Sequence, residues 1–141
     1  MSQESATPDL VEFVRAAVEA LNHRDFDALM SFYAPDAVWE APALGTSFEG
    51  VAAIRGFLED WLGAYEEFKV EPQELLDLGS GVVFCVARQK ARLAGSTGLV
   101  PLQEVWVYVF VWVQCMLARV TVYSEIDEPR TAAERLAESR R

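Results

Sequence analysis

Histidine and cysteine are scarce in this 141-residue chain. It has one histidine, His23, and two widely separated cysteines, Cys85 and Cys115. A Ser-His-Asp relay or a zinc site would need further partners at suitable positions, and the sequence does not supply them. We therefore expect no metal and no cofactor, and we interpret the two cysteines as free thiols in a reducing compartment.

Basic residues and long apolar runs are also lacking. Twelve Lys and Arg face 22 Asp and Glu, which gives a net charge of −10 at pH 7. This balance disfavours nucleic acid and anionic membranes as partners, because both are polyanions. No apolar run reaches the roughly 18 residues of a membrane span. The first residues also lack the basic-then-apolar order of a signal peptide, so we expect a cytoplasmic protein.

The most regular pattern in the chain lies in residues 99–123. Every odd position from 105 to 113 is valine. The even positions between them are Trp106, Tyr108, Phe110 and Trp112. This composition predicts a strand with valines on one face and aromatic rings on the other. Because exposed rings would form a large apolar patch, we expect a homodimer through the sheet.

Hydrophobic periodicity assigns the other elements. It predicts helices over residues 8–22, 26–34 and 51–65, the first capped by Thr7 and the second ended by Pro35. A short strand over residues 37–41 and an irregular segment over 42–50 come before the third helix. Further strands are predicted over residues 68–78, 82–93, 99–113 and 117–123. This order favours an α+β fold, with three N-terminal helices packed on a curved, mostly antiparallel sheet.

The ends of the chain are predicted to lie outside the domain. We expect a disordered tail over residues 1–7, a domain over 8–126 and a C-terminal helix or tail over 127–141. Leu136 is the only large apolar residue of the last segment, so we expect that segment to be solvated.

Several short motifs resemble one known superfamily. They are Ala20-Leu21-Asn22, Asp25-Phe26-Asp27-Ala28-Leu29, the run over residues 32–42, and Gly50-Val51-Ala52-Ala53-Ile54-Arg55-Gly56-Phe57. Together they resemble the NTF2-like superfamily, in particular its SnoaL-like and ketosteroid-isomerase-like members. The resemblance implies a cone-shaped α+β fold with a deep apolar pocket, and often a homodimer through the outer sheet faces. It does not define the function, because this fold hosts enzymes, binders and transport factors.

The catalytic residues that this resemblance would imply are missing. Matching the isomerase branch places its general base at Ala41 and its two oxyanion donors at Ala17 and Gln103. Matching the epoxide-hydrolase branch places its acids at Lys90 and Thr121. Both chemistries are therefore expected to be absent, although Gln103 could still donate a hydrogen bond to a ligand oxygen. Alternation directs Glu40, the nearest carboxylate, away from the face of Trp39 and Ala41.

Two function classes stay open. The first is a non-catalytic binder of a small uncharged hydrophobic molecule of steroid, polyketide or terpene size, in a natural or engineered pocket. The second is an isomerase, polyketide cyclase or epoxide hydrolase without cofactor, whose acid or base has moved. A carboxylate that opens into the cavity would favour the second class. The candidate ligand-binding residues, which could also simply fill the cone, are Phe13, Ala17, Tyr33, Trp39, Ala41, Phe57, Trp61, Gln103, Val105, Val107, Thr121 and Tyr123.

Overall fold

The computed structural model describes residues 9–93, 102–124 and 127–140. The elements in chain order are α1 (Leu10–Asn22), α2 (Phe26–Met30), β1 (Tyr33–Ala41), a 3₁₀ turn (Pro42–Leu44), β2 (Thr46–Glu49), α3 (Val51–Gly63), β3 (Tyr65–Gly79), β4 (Val82–Leu93), β5 (Leu102–Val113), β6 (Met116–Tyr123) and α4 (Asp127–Ser139). The predicted α+β class is confirmed. Among the described helices, none is long and apolar enough to cross a membrane.

The six strands form one sheet in the order β2-β1-β6-β5-β4-β3. The pairing of β1 with β6 is parallel, and the other pairings are antiparallel. We call the side that packs on α1, α2 and α3 the inner face; on β5 it carries Tyr108, Phe110 and Trp112. The outer face carries Val107 and Val109 and packs on α4. The aromatic side of β5 is therefore buried within the chain.

The first two helices differ from the sequence prediction at their ends. The side chain of Asp9 caps α1 by accepting a hydrogen bond from the backbone N–H of Glu12 at 3.3 Å, whereas Thr7 lies outside the described residues. Helix α2 ends at Met30, and Tyr33 and Pro35 belong to β1 instead. Pro35 fits in this strand because the register of β1 against β6 is irregular between positions 33 and 38.

The C-terminal segment forms a helix that is buried on one side. Ala133 and Ala137 are each 1% exposed, and they pack over Phe84 and neighbouring valines of the outer face. The guanidinium of Arg130 lies 4.8 Å from the centre of the Phe84 ring and forms an ion pair with Glu74 at 2.9 Å. The segment is a helix, one of the two predicted alternatives, but it is not solvated on every side. The sequence did not show this because the buried side of α4 is made of small residues, which give a weak hydrophobic pattern.

Candidate ligand-binding cavity

A cavity of about 270 Å³ lies between α3 and the inner face of the sheet. Its lining residues are Trp39, Ala41, Leu44, Phe57, Trp61, Tyr65, Phe68, Gln89, Ala91, Trp106 and Val122. Leu44, in the 3₁₀ turn, is 64% exposed although it lines the cavity. This position marks the side on which the cavity meets the surface.

Aromatic rings form a continuous wall of this cavity. Phe57 and Trp61 are four residues apart on α3, so both rings lie on the same side of the helix, with their centres 5.8 Å apart. Trp39 of β1 packs against Phe57 at 4.7 Å, and Phe68 of β3 packs edge-on against Trp61 at 5.0 Å. Rings of this kind offer a large apolar contact area with few rotatable bonds.

One buried polar pair reaches this wall from the sheet. Gln89 of β4 is 6% exposed, and its Nε2 donates a hydrogen bond to the hydroxyl oxygen of Tyr108 at 2.5 Å. Tyr108 also lines a second cavity of about 50 Å³, together with Tyr33 and Cys85. The two cavities share Trp39 and Trp61 as lining residues. The Gln89–Tyr108 hydrogen bond therefore joins the larger cavity to the smaller one.

The titratable groups of the smaller cavity are held neutral. Burial raises the pKa of Tyr33 well above its ordinary value. Burial also raises the pKa of Tyr108, with a further increase from the nearby Cys85 and a partial decrease from the hydrogen bond of Gln89. The pKa of the Cys85 thiol rises to about 12, mainly through burial. At neutral pH these groups keep their protons, so they can donate hydrogen bonds and do not act as bases or nucleophiles.

Charged side chains are absent from the described lining of both cavities, which includes no Asp, Glu, Lys, Arg or His. Glu40 lies on the outer face as predicted, where one of its oxygens accepts hydrogen bonds from Arg119 at 2.6 Å and Thr121 at 3.1 Å. No group of three or more potential metal ligands occurs within the described residues. The described cavity thus offers apolar contact and neutral hydrogen bonding.

The structure brings half of the sequence-predicted site residues together. Trp39, Ala41, Phe57 and Trp61 line the larger cavity, and Ala17 and Tyr33 line the smaller one. Phe13 lies on the same side of the sheet and packs against Trp112 at 5.6 Å, but it is not among the lining residues of either cavity.

Four predicted residues lie on the opposite side of the sheet from the cavities. Val107 is buried in the outer-face cluster and Tyr123 packs against that cluster, while Val105 is 38% exposed. Thr121 hydrogen-bonds to Glu40 on the same side. Val105 and Val107 were assigned wrongly because the two apolar faces of β5 were exchanged. Tyr123 and Thr121 of β6 lie opposite Val107 and Val109, so they share the outer face. Gln103 pairs with Lys90 in the sheet, but its side chain lies outside the described part of the structure.

The sequence did contain a signal for Gln89, which the prediction missed. Along β4, the charged residues Arg88, Lys90 and Arg92 alternate with Ala87, Gln89 and Ala91. A row of three cations belongs on a solvated face, so the alternate row must face the core. Once Gln89 is placed inward, its pairing neighbours on β5 identify the even-numbered aromatic residues as the inner row.

Comparison with known domains resolves the family. Residues 14–114 match the model of the SnoaL-like domain. The chain belongs to the SnoaL-like family. No curated protein matches this SnoaL-like chain.

Solved structures of other SnoaL-like and NTF2-like proteins share its fold. A candidate polyketide cyclase from Sinorhizobium meliloti is 28% identical and has a TM-score of 0.66, over 85% of this chain and 98% of that chain. A hypothetical protein with a ketosteroid isomerase-like fold from Catenulispora acidiphila, solved with trimethylamine, is 17% identical with a TM-score of 0.72, over 82% and 86% of the two chains. An NTF2-like protein of unknown function from Burkholderia pseudomallei is also 17% identical with a TM-score of 0.72, over 89% and 95%. The predicted NTF2-like superfamily is confirmed.

Proposed function

We propose that this SnoaL-like protein binds a small, uncharged, largely apolar molecule in the cavity between α3 and the sheet. The observation that carries the proposal is the composition of the described lining, which is rich in aromatic rings and contains no charged side chain. Binding sites for small molecules are usually apolar, with a few polar groups that fix orientation. Gln89 supplies such a group here.

The size of the cavity favours a ligand at the small end of the predicted range. Pockets for drug-sized ligands span roughly 300–1,000 Å³, and this cavity measures about 270 Å³. A two-ring molecule or a monoterpene suits this volume better than a complete steroid does. A charged ligand is disfavoured, since the described lining has no counter-ion for it.

The alternative is a SnoaL-like enzyme with a relocated acid or base. The 28% identity to the candidate polyketide cyclase supports this alternative. The described lining opposes it, because none of those residues is a carboxylate that could act as a base. Conversion of a bound ketone to a new product, detected by mass spectrometry and dependent on a residue of this chain, would favour the enzyme.

Calorimetric titration with tetralin, a two-ring hydrocarbon, tests the binding proposal. We expect a micromolar dissociation constant for the wild-type protein. Ala91 lines the cavity and is 5% exposed, so Ala91→Leu fills part of the space and should weaken binding at least tenfold. Ala53→Leu adds the same atoms at an exposed position of α3 and should leave the affinity unchanged. Absence of tetralin binding to the wild-type protein would contradict the proposal.

A further inference from the structure

Leu44 differs from the other described residues that line the larger cavity. It is 64% exposed, whereas the remaining lining residues are buried or half-buried. Among the described large apolar residues it is also the most exposed. Most of the apolar area of such a leucine still contacts water, so burial of that area against another molecule would be favourable. Leu44 therefore offers a contact that the folded chain itself does not use.

The turn that carries Leu44 is fixed at its ends and lightly held between them. Ala41 pairs with Thr46 in the β1–β2 ladder and is 1% exposed, so the turn begins beside the cavity. Between these two residues, the backbone N–H of Gly45 donates to the carbonyl oxygen of Pro42 at 3.0 Å. Gly45 has a φ of 64°, and a Cβ built on it would meet no atom of the described residues within 4 Å. The turn can therefore change shape without disturbing a packed neighbour at that point.

Two aromatic residues of the same lining are held more firmly. Trp61 packs edge-on against Phe68, with the ring centres 5.0 Å apart. Tyr65 packs against Phe68 at 5.6 Å, and its carbonyl oxygen accepts a hydrogen bond from the guanidinium of Arg24 at 2.9 Å. A ring that moved over a ligand would lose such contacts, whereas the Leu44 side chain would gain one. Of these three lining residues, Leu44 is the one best placed to close the cavity.

We propose that Leu44 closes the site over its ligand: when an apolar molecule fills the cavity, the turn brings the Leu44 side chain onto the outer end of that molecule and out of water. This inference rests on the proposed function, because it adds a closing residue to the same cavity. It also restricts the ligand, since the end that meets Leu44 has to be apolar for the contact to be favourable. Because the contact forms only after the ligand has entered, its loss should speed dissociation and change association little.

The variant Leu44→Ser tests the contact. We expect it to bind tetralin about tenfold more weakly, as the loss of most of one buried leucine contact predicts, with most of the change in the dissociation rate. Stopped-flow dilution followed by tryptophan emission measures that rate, because Trp39 and Trp61 line the cavity. The urea midpoint without ligand should match that of the wild-type protein, since Leu44 is exposed there. Leu44→Met keeps a large apolar side chain and should keep the affinity. Val113→Ser, at an exposed position near the end of β5, should leave it unchanged.

Alkylation of a thiol at the same position tests whether the side chain leaves the solvent. Leu44→Cys is made together with Cys115→Ser, because Cys115 is exposed and would also react, whereas Cys85 is buried. We expect iodoacetamide to modify the thiol at position 44 about tenfold more slowly when tetralin exceeds the dissociation constant measured for this variant. Cys115 of the wild-type protein is the control, and tetralin should not change its rate of alkylation.

The outcomes separate this inference from the binding proposal. Equal rates of alkylation at position 44 with and without tetralin would overturn the inference and leave the binding proposal intact. An unchanged tetralin affinity in Leu44→Ser would do the same, because the side chain would then not hold the ligand. Slower alkylation of Cys115 as well would also overturn the inference, since the protection would not be local to the turn. Failure of tetralin to bind the wild-type protein would overturn the binding proposal together with the inference.

Discussion

Asn22, the last residue of α1, connects the helices to an edge of the sheet. Its Nδ2 donates to the carbonyl oxygen of Val70 at 2.9 Å, and its Oδ1 accepts from the N–H of Val70 at 2.8 Å. Val70 lies on β3, an edge strand of the sheet, so the side-chain amide takes the place of a neighbouring strand at this point. This geometry gives a physical role to the Ala20-Leu21-Asn22 motif.

We predict that Asn22→Asp destabilises the protein by about 1–3 kcal/mol, because the carboxylate keeps the acceptor but loses the donor to a partly buried carbonyl. Urea denaturation followed by circular dichroism measures the change. Gln73→Glu makes the same amide-to-acid change at an exposed position of β3 and serves as the control. Equal unfolding midpoints for Asn22→Asp and the wild-type protein would show that the amide bridge contributes nothing.

Large aromatic side chains on a face that periodicity already assigned were the easiest cavity residues to predict from the sequence. Phe57 and Trp61 lie on the predicted apolar stripe of the third helix, and Trp39 lies on the strand face opposite Glu40. All three line the larger cavity. Gln89 and Tyr108 were missed. In the paired strands Gln89 lies opposite position 104 and Tyr108 lies opposite Cys85, so their hydrogen bond joins residues four positions apart. Periodicity alone does not provide the strand register that allows this contact.

The β5–β6 hairpin has unusual turn residues. Gln114 and Cys115 have φ values of 52° and 65°, so both adopt the left-handed conformation that a two-residue hairpin turn requires. Glycine or asparagine usually occupies such positions, since a β-carbon makes this conformation unfavourable. Nothing in the structure explains why this hairpin uses glutamine and cysteine.

We predict that Cys115→Gly stabilises the protein by about 0.5–1 kcal/mol, because glycine adopts positive φ without strain. Cys115→Ser removes the thiol without changing the backbone preference and should be neutral. Gly81→Ala in the β3–β4 hairpin should act in the opposite direction, since Gly81 has a positive φ and its added Cβ would collide with the carbonyl oxygen of Trp112. Thermal unfolding of the three variants measures the order. A lower midpoint for Cys115→Gly than for Cys115→Ser would contradict the argument.

The sequence predicted the elements better than it predicted their faces. Strand β4 occupies the predicted residues 82–93, because glycines precede it and its charges alternate. β2 was missed, as a four-residue edge strand gives little pattern. The faces of β5 were exchanged because valine and aromatic rows are both apolar, and only the partners of each row distinguish inside from outside. The inner partners are three helices and the outer partner is α4.

Burial of the aromatic row changes the basis of the homodimer prediction. That prediction assumed that Trp106, Tyr108, Phe110 and Trp112 would be exposed, whereas they lie beneath the helices of the same chain. The outer face is instead covered by α4 over part of its area. A homodimer stays a prediction, to be tested by light scattering, but it no longer follows from the aromatic row.

Helix α4 covers part of the outer face of the sheet. Ala133 is 1% exposed and belongs to the same cluster as Phe84, whereas its neighbour Ala132 is exposed. Ala133→Glu would place a charge in that apolar contact, so the helix must leave the sheet or bury an unpaired carboxylate. We expect a loss of about 2–4 kcal/mol of stability, or detachment of α4 with self-association through the uncovered outer face.

Ala132→Glu makes the same substitution one residue earlier, on the solvent side of the helix, and should change neither stability nor mass. Urea denaturation measures the stability of both variants, and light scattering over a range of concentrations measures their association. Because the inner-face cavity does not contact α4 in the described structure, tetralin binding should survive in Ala133→Glu molecules that remain folded. If both variants match the wild-type protein in stability and mass, α4 does not protect the outer face.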